Sequence, residues 1–276
     1  MKTIAVLMTC YNRVGTTLEC LQRLFAQELP EGYSFDVWLV DDASPDHTGK
    51  VVKLKHPKIN VIQSGGGLFW TKGMRLAWDE AARAKEYNFY LWLNDDVLLF
   101  NGALSSLISD YNLMAEKGPG VVVGTCSRDS RGETLEYGSY LGSVMRPSGE
   151  PVRVPNEYSM SGNVVLIPHW VFRAIGPIFG GYSHAKGDSD YQKMLDRHGI
   201  PRYCSSRISG MCPIQHDRYL HLDGKPFGER MRVLFHPKGL ALWDTVLYRY
   251  RHWGIVRSTI SGVHLVMRAT LFYKGH

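Results

Sequence analysis

Three apolar runs, each ending abruptly on polar or acidic residues, constrain this chain most. Residues 3–9 run into TCYNR (residues 9–13), 35–40 into VDDASPD (40–46), and 89–93 into LNDDV (93–97). Runs of this length with no polar alternation read as strands buried on both faces. Carboxylates at strand ends are poor core material and good ligands for a base, a metal or a diphosphate. Amphipathic segments separate the runs. Leu18, Leu21, Leu24 and Phe25 form one helical stripe with Thr16 or Thr17 as its cap, and 71–85 and 104–116 read as further helices. Residues 59–62 and 121–125 add two strands, the first closed by Gly65, Gly66 and Gly67. Strands alternating with helices predict an α/β fold with a mostly parallel central sheet flanked by helices. Ligands of such sheets bind beyond the carboxyl ends of the strands, so the three motifs should share one rim.

Downstream, 126–160 lacks a clear period and reads as hairpins or an active-site loop. Residues 163–168 are apolar again and precede a helix over 169–174, in which Trp170 and Phe172 are expected in the core. A helix over 189–197 opens on Asp188, whose carboxylate suits a helix start. With 276 residues the chain can bury a full core. The simplest division is a catalytic unit over 1–235 and a basic helical segment over 236–276. Five cysteines with no CxxC pair argue against a disulfide framework or a zinc ribbon and fit a reducing cytosol. The opening MKTIAVLMT is too short for a signal peptide, and no stretch has the length of a membrane span.

Charge is placed unevenly. After Asp244 there is no acidic residue, and Arg249, Arg251, Arg257, Arg268 and Lys274 supply +5 of the net +6. Beyond residue 255, Val256, Ile260, Val263, Met267 and Leu271 keep helical spacing, with Arg257, His264 and Arg268 beside them. This pattern suggests an interfacial helix on an anionic membrane, the alternatives being a helix packed on the domain or a dimer contact. No nucleic-acid recognition motif accompanies the basic tail.

Taken with HAKGDSDY (184–191), the order and spacing of the motifs resembles family 2 glycosyltransferases of the nucleotide-diphospho-sugar (GT-A) type over about residues 1–220. The resemblance implies an inverting transferase moving a sugar from a UDP- or dTDP-sugar to a hydroxyl of a glycan or polyprenyl-linked saccharide, in surface polysaccharide assembly at or near the inner membrane face. It places Asp96 on a divalent metal, manganese or magnesium, and Asp95 nearer the donor ribose or sugar. Asn94 stands where Asp is common, which would weaken the metal site. Asp188 takes the place of the catalytic base, with Gly187 where Glu is common, and Asp190 is left for a structural pair with Arg197 or a loop amide. Asp42 would accept from the imide of a pyrimidine base, with Asp41 helping locally, and Thr9 and Tyr11 would line the nucleotide site. Arg13 could reach a phosphate, and Lys72, near a helix start, the diphosphate. Gly162 and Asn163 in SGNVVLIP would line the acceptor site. His216 is the candidate third metal ligand, ahead of His184 and His221. A sugar nucleotidyltransferase would carry a Gly-rich basic loop straight after the first strand, where this chain has TCYNRVGTT. Gly187 and Asn94 also leave open a catalytically inactive sugar-nucleotide-binding homologue.

Overall fold

The computed structural model describes residues 1–213, 222 and 224–270. The chain opens with β1 (Lys2–Cys10), α1 (Val14–Phe25), β2 (Tyr33–Asp41), α2 (Thr48–Lys55), β3 (Asn60–Gln63), α3 (Phe69–Ala84) and β4 (Phe89–Leu93). β1 pairs in parallel with both β2 and β4, and β2 with β3, so the polar end of β1 and the acidic ends of β2 and β4 open on one edge. After β5 (Leu98–Leu99), α4 (Ala103–Ala115) and β6 (Val121–Ser127) come five short strands. These are β7 (Leu135–Tyr137), β8 (Ser139–Leu141), β9 (Ser143–Val144), β10 (Val152–Arg153) and β11 (Ser159–Met160), so this stretch is hairpins as expected. β12 (Val164–Pro168), α5 (His169–Ile175), α6 (Gly187–Arg197), β13 (Arg202–Met211), α7 (Phe227–Phe235) and α8 (Leu242–Thr270) complete the order.

The main sheet runs β10-β13-β6-β12-β4-β1-β2-β3. β12 lies antiparallel between β4 and β6, so the sheet is parallel mostly rather than wholly. The unbroken apolar runs have a direct cause. Side chains alternate across a strand. On β1, Ile4, Val6 and Met8 enter one core with Leu21 and Leu24 of α1 and Leu104 and Leu107 of α4. Ala5 and Leu7 enter the other, with Met74, Ala77, Trp78 and Ala81 of α3 and Tyr191 and Leu195 of α6. β4 divides likewise, with Leu91 on one side and Tyr90 and Trp92 on the other. The 74, 77, 78, 81 spacing is the apolar stripe that lays α3 along the sheet.

α8 loses helical geometry at Gly254 (φ 78°, ψ −177°), a left-handed conformation that glycine adopts without strain. Beyond it the chain doubles back. The Ser258 hydroxyl donates to Val246 O (2.7 Å), and Leu265 and Ala269 share a small core with Leu234 of α7 and Leu242. The C-terminal segment is therefore a helical hairpin. Its first half packs a face carrying Asp244 and Tyr248 inward, where the sequence suggested an interfacial helix beyond residue 255 or a helix packed on the domain.

Candidate active site

At the open edge of the sheet lies a cavity of about 960 Å³ lined by residues from all four sequence motifs. Thr9, Tyr11, Arg13, Asp42, Asp95, Asp96, Gly162, Asn163 and Asp188 all border it. Lys72 does not: α3 begins at Phe69, earlier than expected, and its first turn is spent on Asp42. His216 and His221 lie outside the described residues.

Asp42 accepts three hydrogen bonds, from Ser64 Oγ (2.7 Å), Leu68 N (3.0 Å) and Phe69 N (2.9 Å). It thus anchors the start of α3 and holds Phe69 in left-handed backbone (φ 56°), an outlier for a bulky residue. A carboxylate has about four acceptor positions, so about one remains for a ligand. Asp41 is turned away, accepting from the amides of Ser44 and Gly49 (both 3.0 Å). Asp46 ties two strand-end loops together through Val14 N (2.9 Å) and Thr48 N (3.1 Å).

The Asp95–Asp96 pair faces a cation supplied by the chain itself. Arg13 Nε lies 3.3 Å from Asp95 Oδ2 and Nη1 lies 2.9 Å from Asp96 Oδ2. Thr17 is not a helix cap. It sits inside α1, which starts at Val14, and its hydroxyl donates to Asp95 Oδ2 (3.1 Å). Burial lifts the Asp95 carboxyl to about 7, against the pull of Arg13. Asn94 is occupied in holding Trp70, whose Nε1 donates to its Oδ1 (2.7 Å). The Cys212 thiol approaches the other oxygen of Asp96 (3.6 Å). Among the described residues no three His, Cys, Asp or Glu side chains gather around one point. Two carboxylates that already converge on a positive charge nevertheless suit a hard cation.

Asp188 occupies the first turn of α6 but does not cap it. The helix starts one residue earlier, Lys186 takes the cap position in left-handed backbone (φ 73°), and Asp188 accepts its neighbour's amide, Ser189 N (2.7 Å). Burial raises the Asp188 carboxyl above the usual range, which favours a general base. Gly162 sits between Asp188 and Trp70. A Cβ there would lie 2.5 Å from the Trp70 ring and 3.5 Å from Asp188 Cβ. Gly187 is pressed on α3 in the same way: a Cβ would lie 2.6 Å from Thr71 Oγ1. The glycine in place of the common glutamate therefore follows from helix packing.

Several lining residues escaped the sequence reading in this role, among them Trp70, Tyr137, His184, Cys212, and His236 and Lys238 from the segment after α7. The division at 235/236 thus runs through the cavity wall. Burial, then the charge of Lys238, pushes the His184 imidazole down to about 4, so it is neutral near neutral pH. Its buried Nδ1 has no hydrogen-bond partner among the described residues. Asp190 pairs not with Arg197 but with Arg251 and His252 of α8.

A mostly parallel sheet with acidic strand ends around one such cavity, closed by an antiparallel strand and a helix that carries a buried carboxylate, defines the GT-A class of sugar-nucleotide transferases. The profile of glycosyl transferase family 2 matches residues 5–172. The chain belongs to that family, and its fold and family support glycosyl transfer from a nucleotide sugar. Residues 1–349 of S. aureus TarS share the fold at TM-score 0.57 and 15% identity, over 98% of this chain and 81% of that one. The same protein with UDP-GlcNAc gives TM-score 0.59 and 13% identity, over 98% and 80%. The mannosyltransferase PcManGT from Pyrobaculum calidifontis, in complex with GDP-Man and Mn2+, gives 0.53 and 14%, over 99% and 76%. At such identities the likeness speaks for the fold. No match is found among curated proteins.

Proposed function

We infer that this protein is an inverting transferase that moves a sugar from a UDP- or dTDP-sugar to a hydroxyl of a glycan or lipid-linked saccharide in surface polysaccharide assembly. What carries the reading is that Asp188, raised by burial, borders the same cavity as the Asp95–Asp96 pair. The acceptor lies against Gly162 and Asn163, and its hydroxyl proton passes to an Asp188 oxygen. The freed oxygen attacks the anomeric carbon from the face opposite the leaving group. The bond from that carbon to the phosphate oxygen breaks, and the nucleoside diphosphate keeps the electron pair. Thr9, Tyr11 and the remaining acceptor position of Asp42 orient the nucleotide. Asp96 would hold manganese or magnesium, with His216 as the further ligand, and a bound cation would neutralise the departing diphosphate.

A membrane-linked acceptor agrees with the outer side of the C-terminal hairpin. Ile255, Val256, Ile260 and Val263 are each more than half exposed there, beside the exposed Arg257 and Arg268. No helix among the described residues is long and apolar enough to cross a membrane. The fitting placement is peripheral, on the anionic inner face.

The deciding experiment is a thermal-stability panel of UDP, dTDP, GDP, CDP and ADP with and without manganese, followed by transfer from the sugar nucleotide it selects. A ligand of the native state must raise the melting temperature. One pyrimidine nucleotide should do so, more strongly with metal, and Asp188→Asn should keep that response while losing transfer. Normal turnover by Asp188→Asn would remove Asp188 from the mechanism. No response to any nucleotide would favour an inactive homologue.

A further inference from the structure

The short loop leading into α6, together with the first turn of α6 that carries Asp188, is gripped from two sides. On α3, the Thr71 amide donates to Ser183 O (2.9 Å) and its hydroxyl to His184 O (2.9 Å). On α8, Asp244 accepts the amides of Ser183 (3.1 and 3.0 Å) and His184 (3.2 Å). Two turns further along α8, Arg251 Nε donates to Asp190 Oδ1 (3.0 Å) and its Nη2 reaches Oδ2 (3.4 Å). His252 Nε2 lies 2.8 Å from the same Oδ1, as does the Tyr182 hydroxyl at 2.8 Å. Asp244, Tyr248, Arg251 and His252 fall on one face of the helix by their spacing. Asp190 is 1% exposed and Asp244 6%.

An apolar face would seat a helix at lower desolvation cost than a buried carboxylate with three side-chain partners. What such a cluster adds is direction, because charge-assisted bonds fix orientation as well as distance. The direction is imposed on both ends of one short loop. Of that loop, His184, Ala185, Lys186, Asp188 and Ser189 face the cavity, while Asp190 and Ser183 do not line it. We propose that Asp244 and the Asp190–Arg251–His252 cluster are positioning residues, through which the C-terminal helix holds Asp188 toward the acceptor. The proposal rests on the reading of Asp188 as the base.

The test uses the full chain carrying Arg251→Met, with His252→Gln and Asp244→Asn as independent variants should the first not fold. Three quantities are read: UDP affinity with manganese, amide hydrogen exchange over the segment around Asp188, and steady-state release of nucleoside diphosphate from the sugar nucleotide the panel selects. Loop exchange should accelerate about tenfold or more while the strands stay protected. kcat should fall about 100-fold, the cost of misplacing a reacting group by about 1 Å. UDP affinity and donor KM should stay within about twofold of wild type. Arg251→Lys, which keeps the charge, should recover part of kcat. Unchanged loop exchange, or UDP affinity lost in step with kcat, overturns the clamp. Asp188→Asn in the same assays separates the two claims. An active Asp188→Asn defeats the base assignment, whereas an inactive one beside fully active clamp variants defeats the clamp alone.

Discussion

Adding one methyl group at Gly187 should disable the site although the position is helical and alanine is the better helix former. A Cβ there would lie 2.6 Å from Thr71 Oγ1, 2.7 Å from Thr71 Cγ2 and 3.0 Å from Ile178 Cδ1. Comfortable contact between carbons begins at about 3.5 Å, so α6 and α3 must part by about 1 Å. Thr71 cannot yield easily, being fully buried and hydrogen-bonded to both Ser183 and His184. Overpacking of this kind costs about 1–3 kcal/mol. Against it stands a helix-propensity gain of up to about 1 kcal/mol. The net expectation for Gly187→Ala is about 1–2 kcal/mol of destabilisation in urea unfolding, with transfer reduced about 100-fold because Asp188 is the next residue. A double-mutant cycle isolates the cause. Thr71→Ala removes both nearest atoms, so Gly187→Ala should cost at least about 1 kcal/mol less in that background. The packing argument fails if Gly187→Ala is as stable and active as wild type, or if its cost is the same with Thr71 truncated.

Three other outcomes follow from the site and the hairpin. His184 is held down to about 4 from 6.5, so the folded state binds fewer protons than the unfolded state between those values, and stability falls as pH drops through that window. Moving from about pH 7.5 to about pH 5 should cost about 2 kcal/mol through this residue; His184→Gln should abolish that component of the urea midpoint shift, and an unchanged shift would assign it elsewhere. Arg13→Gln leaves Asp95 and Asp96 without their resident cation, so calorimetry should show Mn2+ binding tighten about tenfold without nucleotide while UDP binding weakens; an unaltered metal affinity would refute the exchange of cations. Ile260→Glu with Val263→Glu should prevent sedimentation with phosphatidylglycerol vesicles and leave UDP binding intact, and continued pelleting would exclude that face as the membrane contact.

The strands at the heart of the sheet were legible because burial on both faces leaves them with long apolar runs, and Phe89–Leu93 stands where its sequence put it. The rim was legible for a related reason, since Asp42, Asp95, Asp96 and Asp188 each interrupt an apolar or helical pattern at its end. Contacts made across long sequence separations were not legible. Nothing local tells Thr17 that it will meet Asp95, 78 residues away, or Asp190 that its partners lie on α8. Helix starts were misjudged by one to four residues, enough to leave Thr17 inside α1, to move Lys72 off the cavity and to hand the cap of α6 from Asp188 to Lys186. In the tail, the basic count concealed a signal that was present. The 244, 248, 251, 252 spacing marks an inward polar face, and Arg251 is spent on Asp190 rather than offered to a surface.

The separation of 61 residues between Asp190 and Arg251 also sets an order in time. A ribosome adds about 5–20 residues per second, and the last strand of the main sheet ends at Met211, so that sheet can be synthesised about 2 to 8 s before Arg251. The proposed chemistry is therefore assembled last, by the C-terminal helix. If Asp188 is the base as proposed, a chain interrupted before α8 would keep the strand-end cavity without the held carboxylate, a form able to sequester sugar nucleotide and slow to spend it.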